Sequence, residues 1–549
     1  MLSVFLPLKK YLLENRWYIA IGLVSVIIVD TLQLCIPRII KYAVDALTSG
    51  IADSGLMLTY AGIVLITAAW IVVFRFTWRF CIIGTSRRIE RDLRNHMFSH
   101  ILRQPIPELL RMKTGDVMAR MTNDLEAVRM CTGIGWVALM DTVFLGLAAI
   151  GFMIYISPLL TAVCMLPLLL IVAVTWRLSR VLHVRFGKVQ KSFSALTEKV
   201  RESVEGIAII KAYSREQASI NDFAFCSNDY VNKNMSLVYI IGLFFPLIIF
   251  FSNLSIGVLV WWGGRMTVVA DISTGDFVAF ASYLWIVTWP MMALGWVVNL
   301  FQRGKVSMGR ILELLDAEQE NYAPRVNAAR RLQGHIEVSR LTFSYERGSR
   351  PVLDDVSFTI EPGETIGITG KTGSGKTTLC DLLLRFFCAP EGTLKIDGMD
   401  IASVPLEDLR PGIAYVPQDS FLFSDSIFDN LSFGVPHTTE DAVRISAERA
   451  FLTEEILGFQ DGFETMIGEK GVTLSGGQRQ RMCIARALLL QAPILIIDDA
   501  LSALDVDTTE MVVESLKSST NRCTSIIVAN RIASIRNADR IYVFDEGRI

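Results

Sequence analysis

The sequence lacks closely spaced cysteine pairs and has few histidines. Its nine cysteines are scattered without a CxxC pair, and only five histidines are present. We therefore expect reduced cysteines in the core, and neither a disulfide framework nor a zinc site. The cysteines are Cys35, Cys81, Cys131, Cys164, Cys226, Cys380, Cys388, Cys483 and Cys523.

An excess of basic charge is also missing. The 53 Lys and Arg residues are balanced by 55 Asp and Glu residues, for a net charge of -2. A nucleic-acid binder would normally be basic, so no nucleic-acid partner is expected. No cleavable signal peptide is apparent, because the first apolar run, from Trp17 to about Ile40, is too long for a signal core. That run predicts a retained membrane anchor.

Apolar residues are abundant. They make up 52% of the chain, and the mean hydropathy of +0.42 is high for a soluble protein. Each of six apolar segments has about 20 residues or more, enough at roughly 1.5 Å per residue to cross a hydrocarbon core of about 30 Å. They lie near residues 17–40, 57–80, 131–156, 158–178, 238–262 and 276–300. The sequence thus predicts a membrane domain over 17–301.

Basic residues concentrate between the second and third spans and between the fourth and fifth spans. The positive-inside rule therefore places both long segments and both termini in the cytoplasm. Residues 1–16 mix Lys9, Lys10 and Arg16 with apolar residues, which predicts a short helix on the membrane surface. The long segments are amphipathic and predict helical stalks with turns at Lys113–Asp124, where Gly115 precedes a short helix, and at Ala212–Glu216.

Four charged residues interrupt the apolar segments. An ionised side chain at mid-bilayer costs at least ~2.5 kcal/mol, so such residues should face water or one another. Arg75 and Arg79 lie near the cytoplasmic end of their span, which favours snorkelling, whereas Asp30 is the better candidate for a polar position in a substrate path. The fourth charged residue is Asp141. Aromatic residues of the last span either line an apolar cavity or serve packing and interface anchoring. They are Phe280, Tyr283, Trp285, Trp289 and Trp296.

A glycine-rich loop follows an apolar, strand-like run ending at Thr369. Its glycines allow successive N–H groups and the next helix N-terminus to surround a polyphosphate. Lys376 can reach the outer phosphates, and the Thr377 hydroxyl suits Mg²⁺. The sequence therefore predicts nucleotide binding. The loop residues expected to bind ATP are Gly370, Lys371, Thr372, Gly373, Ser374, Gly375, Lys376, Thr377 and Thr378.

Two further motifs accompany this loop. The run Ile494-Leu-Ile-Ile-Asp-Asp ends a wholly apolar strand in two carboxylates, with Asp498 on the metal side and Asp499 where a water-activating base would lie. About twenty residues earlier, Ser475, Gly476, Gly477 and Gln478 open a helix whose N-terminus suits a second anion. A linker is expected over 302–334 and an α/β P-loop domain over 335–549, with strands at 336–345, 356–360, 365–369, 413–416, 494–497 and 525–528.

Together these motifs resemble those of a half-transporter of the ATP-binding cassette (ABC) exporter superfamily. The resemblance implies that Tyr345 stacks on adenine, that Gln418 senses Mg²⁺, and that Ser475 to Gln478 form the signature motif that contacts the partner's ATP. It also implies a D-loop at 502–505, coupling helices at the two cytoplasmic turns, and two chains clamping two ATP molecules. Because the family continues with a further helix beyond the strand before Ile549, a truncated C-terminal end is expected.

Two positions depart from the family pattern. The expected catalytic Glu is Asp499, one methylene shorter, and the switch His is Asn530, which cannot become cationic. General-base catalysis typically contributes ~10²- to 10⁴-fold, so both changes together predict a site that holds ATP but hydrolyses it slowly. The resemblance then implies a different sister chain with an intact Glu and His. The expected function is export of hydrophobic or amphiphilic compounds; a lipid flippase and a nucleotide-binding regulatory or channel-type subunit stay open.

Overall fold

The computed structural model describes residues 2–320, 332–345, 348–468, 474–502, 506–519 and 523–549. The chain forms two compact units. A helical unit contains Met1–Leu102 and Lys113–Ala317, and an α/β unit contains Arg103–Met112 and Glu318–Ile549. Residues 321–331 of the predicted linker lie outside the described residues.

The first part of the chain is helical. A 3₁₀ turn at Leu2–Leu8 is followed by helices that we number in chain order. They are α1 (Lys9–Glu14), α2 (Arg16–Thr48), α3 (Ser54–Ile101), α4 (Ile106–Arg111), α5 (Thr114–Ile156), α6 (Pro158–Glu205), α7 (Ile207–Ala212), α8 (Glu216–Val268) and α9 (Thr274–Leu315). Helix α4 belongs to the α/β unit, and the others belong to the helical unit.

Six of these helices contain the predicted spans. By length and composition, α2, α3, α5, α8 and α9 can cross a membrane, and α6 contributes the apolar stretch Pro158–Val174. Each predicted apolar segment falls inside one of these six helices, so the predicted membrane bundle is confirmed. Helices α3, α5, α6 and α8 extend well beyond those segments into the two long segments predicted to be cytoplasmic, as expected of helical stalks.

The predicted turn at Gly115 is wrong. Met112 and Lys113 have extended backbone, and Gly115 already lies inside the first turn of α5. Because Lys113 and Met112 provide the change of direction, no left-handed glycine is required there. In the second long segment, the short helix α7 precedes the predicted turn, and Ser214 supplies a left-handed residue with φ of 51°.

The predicted linker boundary at Gln302 is also wrong. Helix α9 continues to Leu315, and Met308, Ile311 and Leu314 are buried at helical spacing. The charged residues that suggested a linker find partners within the helical unit. Arg310 pairs with Asp116 and, at 2.7 Å, with Asp124. Polar residues therefore continue this helix beyond its apolar part without ending it.

The charged and aromatic residues of the membrane segments differ in burial. Asp30 is only 2% exposed, whereas Arg75 and Arg79 are exposed. Tyr283 is fully buried, and its hydroxyl donates to the Leu34 carbonyl at 2.9 Å. Phe280 is likewise fully buried, so these two aromatic residues pack within the bundle. The other three aromatic residues are exposed: Trp285, Trp289 and Trp296.

The α/β unit contains two sheets. An antiparallel sheet has the order β2-β1-β4-β5, and a parallel sheet has the order β6-β7-β8-β3-β9. The strands are β1 (Ile336–Phe343), β2 (Leu353–Ile360), β3 (Thr365–Gly370), β4 (Leu394–Ile396), β5 (Met399–Asp400), β6 (Ile413–Val416), β7 (Ile494–Asp498), β8 (Thr524–Val528) and β9 (Arg540–Phe544). All six predicted strands are present, which confirms the α/β prediction.

Helices and apolar strands enclose the core of this unit. The helices are α10 (Lys376–Leu383), α11 (Leu406–Leu409), α12 (Ile427–Ser432), α13 (Glu440–Arg449), α14 (Thr453–Leu457), α15 (Gly476–Leu489), α16 (Val506–Ser519) and α17 (Ile532–Ile535). Every residue of β7 and β8 is buried, as in a parallel sheet covered on both faces. The loops after β3, β7 and β8 therefore emerge along one edge, at the carboxyl ends of adjacent strands.

Candidate functional site

The phosphate loop connects β3 to α10 through glycines that other residues could not replace. Gly370, Gly373 and Gly375 have φ values of 150°, 82° and 98°. A Cβ atom on Gly370 would lie 2.0 Å from the Phe544 carbonyl oxygen, so both conformation and space require glycine. Beyond this turn, the N-terminus of α10 has no side-chain cap, so its first N–H groups suit an anion.

Lys376 lies at the first turn of α10 and is 8% exposed. Its ammonium donates to the carbonyl oxygens of Gly370 at 2.7 Å and Lys371 at 2.8 Å. Burial lowers the pKa of this ammonium, while the Asp499 and Asp498 carboxylates oppose that shift. The lysine is thus held within its own loop and faces the two acidic residues that follow β7.

Asp498 has one carboxylate oxygen that fits a metal. The residue is 1% exposed, and the Thr377 hydroxyl donates to Oδ1 at 3.2 Å. Within the described residues, Oδ2 is buried without a hydrogen-bond partner. Burial raises the pKa of Asp498, and the Thr377 hydrogen bond opposes this shift. A buried carboxylate oxygen beside a hydroxyl is a suitable pair of ligands for Mg²⁺.

The predicted site residues meet around one cavity of about 280 Å³. They come from the segment after β1, from the phosphate loop and the start of α10, and from the segments after β6, β7 and β8. The predicted residues that line it are Tyr345, Thr372, Gly373, Gly375, Lys376, Thr377, Thr378, Gln418, Asp498, Asp499 and Asn530. Val352 and Val528 also line it, although isolated valines give no signal in a sequence.

Not every predicted loop residue lines this cavity. Gly370, Lys371 and Ser374 belong to the loop but lie outside the cavity lining. The Lys371 ammonium instead pairs with Asp545 at 3.2 Å and is 82% exposed. Ser374 is 3% exposed, and its hydroxyl has no partner among the described residues. The loop backbone at these positions shapes the turn, whereas the other loop residues face the cavity.

Asp499 and Asn530 are direct neighbours. The Asn530 side-chain amide donates to Asp499 Oδ2 at 2.8 Å. Asp499 has left-handed backbone, with φ of 46°, and its N–H donates to the Val528 carbonyl at 2.9 Å. Asp and Asn tolerate this backbone conformation better than most residues. The two positions that depart from the family pattern therefore lie together at the edge of the cavity.

Tyr345 also lines the cavity. Its hydroxyl is 2.9 Å from Thr378 Oγ1, and its ring contacts Phe387 edge-on with centroids 4.9 Å apart. The side chain nevertheless stays 46% exposed. These contacts fix the ring orientation while leaving surface available, a geometry compatible with stacking on a base.

The signature residues form the N-terminus of α15. Ser475 Oγ accepts from the Gln478 N–H at 3.2 Å, and Gln478 Oε1 accepts from the Ser475 N–H at 2.8 Å, which makes a capping box. Ser475 is exposed and is not part of the lining of the cavity. A side of this helix end therefore remains open to a ligand. Residues 503–505 of the predicted D-loop lie outside the described residues.

The raised pKa of Asp381, on α10, predicts that the stability of the α/β unit depends on pH. Burial, followed by repulsion from Asp498, raises its pKa to about 6. The unfolded value is about 3.9, so the folded state binds the proton more tightly and loses stability as the pH rises through this window. We expect Asp381→Asn to increase the free energy of unfolding by about 1 kcal/mol at pH 8, after allowance for partial exposure, and to give no increase near pH 4.

Denaturation of the full chain in detergent, followed by fluorescence, measures this change. The exposed Glu391→Gln is the matched control because Glu391 lies in a loop of the same unit. An equal effect of Asp381→Asn at both pH values would show that lost packing, and not the carboxylate charge, determines the difference.

Two family models cover most of the chain. Residues 19–291 match the ABC transporter transmembrane region, and residues 353–502 match the ABC transporter model. The fold is similar to the structure of a bacterial Atm1-family ABC exporter with ATP bound, with a TM-score of 0.77 and 26% identity. That similarity covers 97% of this chain and 94% of the other.

Curated relatives match over the full length. A probable multidrug resistance ABC transporter ATP-binding/permease protein of Bacillus subtilis (strain 168) is 35% identical over 100% of this chain and 94% of its own length. A multidrug resistance-like ATP-binding protein of Escherichia coli (strain K12) is 34% identical, with coverages of 100% and 93%. An ATP-dependent lipid A-core flippase of Aromatoleum aromaticum is 31% identical, with coverages of 100% and 92%. This chain therefore belongs to the ABC transporter family, as an inner-membrane exporter half-transporter that couples ATP hydrolysis in its cytoplasmic nucleotide-binding domain to transport.

Proposed function

We propose that this chain is the weakened-site subunit of a heterodimeric exporter, and that its sister chain carries an intact Glu and His. The observation that carries the proposal is the 2.8 Å hydrogen bond between Asn530 and Asp499. Both departures from the family pattern meet at the place where a water-activating base would act. ATP hydrolysis would tolerate either substitution alone better than both substitutions in direct contact.

The chemistry of the pair disfavours hydrolysis at this chain's own site. One oxygen of the Asp499 carboxylate already accepts from an amide, and the side chain is one methylene shorter than Glu. Asn530 can donate a hydrogen bond to a phosphate but cannot supply positive charge. Weakening of a general base is consistent with a loss of the order of 10²- to 10⁴-fold. The phosphate loop is complete, so ATP binding is retained.

Magnesium binding follows from the same cavity. We assign Thr377, Gln418 and Asp498 as the residues that hold Mg²⁺, because all three line the cavity and Asp498 Oδ2 is buried without a partner among the described residues. The ion supplies charge neutralisation at the outer phosphates of ATP. Tyr345 would position the adenine, and Lys376 would bind the outer phosphates.

The partner's site would use this chain's signature motif. Ser475, Gly476, Gly477 and Gln478 match the family pattern, and the end of α15 that they form is exposed. In a dimer of such chains, each signature completes the other chain's ATP site. This chain is therefore suited to support hydrolysis at the partner's site while ATP at its own site holds the two nucleotide-binding domains together.

The proposed cargo is a hydrophobic or amphiphilic compound. Two relatives are named as multidrug resistance or multidrug resistance-like proteins, which supports a drug-like cargo. The relative named as a lipid A-core flippase supports a second candidate, lipid transport. Lipid-stimulated ATPase activity and lipid translocation in vesicles would favour the flippase over drug export. Steady conductance with a non-hydrolysable ATP analogue would instead favour a channel-type subunit.

Co-purification from native membranes tests the dimer directly. We expect a second half-transporter at equal abundance, and ATPase activity of the complex at least about tenfold above that of this chain alone, given the expected effect of a competent general base. A homodimer with vigorous ATPase activity, abolished by Asp499→Asn, would contradict the proposal. Asp441→Asn, an exposed change on α13, serves as the matched control.

A further inference from the structure

The helical unit contains an apolar cleft of about 830 Å³ beside its N-terminal segment, well within the size range of ligand sites. We call it the N-terminal cleft. Residues of α1, α2, α3, α5 and α9 line it. Its main apolar walls are formed by Leu12, Ile19, Ile89, Trp136 and Phe301. The cleft is separate from the nucleotide-binding cavity and shares no lining residue with it.

Polar contacts at the start of α2 connect the two sides of the N-terminal segment to α3. Asn15, between α1 and α2, donates to the Tyr11 carbonyl at 3.0 Å and accepts from Arg88 of α3 at 3.3 Å. The Arg88 guanidinium also lies 4.3 Å from the Tyr18 ring centroid. On the other side, Trp136 and Phe301 meet edge-on at 5.8 Å. These contacts connect α1 and α2 to α3 on one side of the cleft and α5 to α9 on the other.

All the charged residues that line the cleft are cationic, and there are three of them. Lys9 and Arg16 come from the N-terminal segment, and Lys305 comes from α9 on the far wall. All three are exposed, and within the described part of the chain none of them forms an ion pair. Glu14 is the acidic residue of α1, but it is not part of the lining. The cleft thus combines apolar walls with uncompensated positive charge from two sides.

The position of these residues along the chain identifies their environment. Lys9 and Arg16 precede the first span, and Lys305 follows the last apolar segment, at the cytoplasmic ends of both helices. Trp17, 70% exposed, stands beside Arg16, as is typical of aromatic residues at a membrane interface. Basic pockets between transmembrane helices on the cytoplasmic side suit anionic lipid head groups.

We propose that the N-terminal cleft binds an anionic phospholipid of the cytoplasmic leaflet, with its acyl chain on the apolar walls and its phosphate at Lys9, Arg16 and Lys305. Charge complementarity selects this occupant: a neutral apolar cargo would leave three cations without a counter-ion, and a zwitterionic lipid would bring its own cation. The inference rests on the helical unit alone, so it stands or falls independently of the proposed weakened ATP site.

Lipid retention on the purified exporter, with whatever partner accompanies it, tests the proposal. The complex is exchanged into equal amounts of phosphatidylglycerol and phosphatidylcholine with identical chains, and bound lipid is counted by native mass spectrometry. We expect selective retention of phosphatidylglycerol, with about a fivefold loss of that preference for each of Lys9→Gln, Arg16→Gln and Lys305→Gln. Lys10→Gln is the matched control, since Lys10 is exposed on α1 but outside the lining.

A second variant separates the cleft from general attraction to anionic membranes. Ala20→Phe introduces a ring into the lining and should abolish retention without changing charge, whereas Ile21→Phe, beside it but outside the lining, should not. Equal retention of the two lipids would overturn the proposal, and so would a triple glutamine variant that keeps the preference. Displacement of the lipid by a neutral drug-like compound, with no effect of the glutamine variants, would assign the cleft to cargo instead.

Discussion

Replacing Gly476 by Asp in this chain is expected to reduce ATPase activity of the exporter complex by about 10²- to 10³-fold, the loss typical of removing a stabilising group from a developing charge. A Cβ atom at Gly476 meets nothing within 4 Å, so the chain itself accommodates the change. An acidic side chain in the first turn of a helix also interacts favourably with the helix dipole, so α15 should remain folded. The loss would come from repulsion of the phosphate bound to the partner.

The informative comparison is Asp499→Asn in the same complex. That change neutralises the base position of this chain's own site. Because we propose that this site turns over slowly, we expect less than a twofold loss in steady-state phosphate release. Gly476→Ala controls for bulk without charge and should retain most activity. The opposite ranking, with Asp499→Asn severe and Gly476→Asp mild, would show that this chain's own site carries the hydrolysis.

The strongest predictions came from residues whose local chemistry allows few alternatives. The phosphate loop requires positive φ at Gly373 and Gly375, and the structure has it at both. The apolar run at 494–497 became a fully buried strand ending in Asp498. Long apolar segments likewise identified the membrane helices, because each must satisfy its backbone internally. In these cases the local sequence is sufficient to specify both the element and its environment.

Predictions failed where distant residues decide the structure. The charged stretch after Gln302 suggested a linker, but it continues α9 because Arg310 finds Asp124 in a part of the chain far away in sequence. Nothing near Phe280 or Tyr283 indicates that both are fully buried by packing against other helices. A local sequence pattern does not contain such distant partners. Charge content alone therefore gave the wrong linker boundary, and aromatic content alone did not decide whether the last span lines a cavity or packs in the bundle.

The contact between Asp499 and Asn530 shows the same limit at the site. The resemblance to the family identified both positions, but it did not indicate that the two side chains form a hydrogen bond. Their contact follows from the parallel pairing of β7 with β8, in which Asp498 is opposite Val528. Asp499 and Asn530, one and two residues beyond that pair, therefore emerge from neighbouring strands at the same edge of the sheet. Asp499 and Asn530 form one hydrogen-bonded unit, so substitutions at the two positions should not act independently.

Restoring both family residues is expected to raise ATPase activity of this chain alone by at least about tenfold, at the low end of what a general base contributes. Asp499→Glu extends the side chain by one methylene. Asn530→His removes the amide that donates to this carboxylate and introduces an imidazole, which can become cationic. Each single change should give only a small gain, because Glu would still meet the Asn530 amide and His would still face a short carboxylate.

The left-handed backbone at residue 499 limits this gain. Asp tolerates φ of 46° better than Glu, so part of the benefit is lost as strain, of the order of 1 kcal/mol. Initial rates of phosphate release from the purified chain measure the effect, and Lys376→Ala in the double-variant background should abolish it by removing a phosphate ligand. Additive single-variant gains would contradict the coupled pair. No gain from the double variant, with ATP still bound, would mean that Asp499 and Asn530 do not limit hydrolysis at this site.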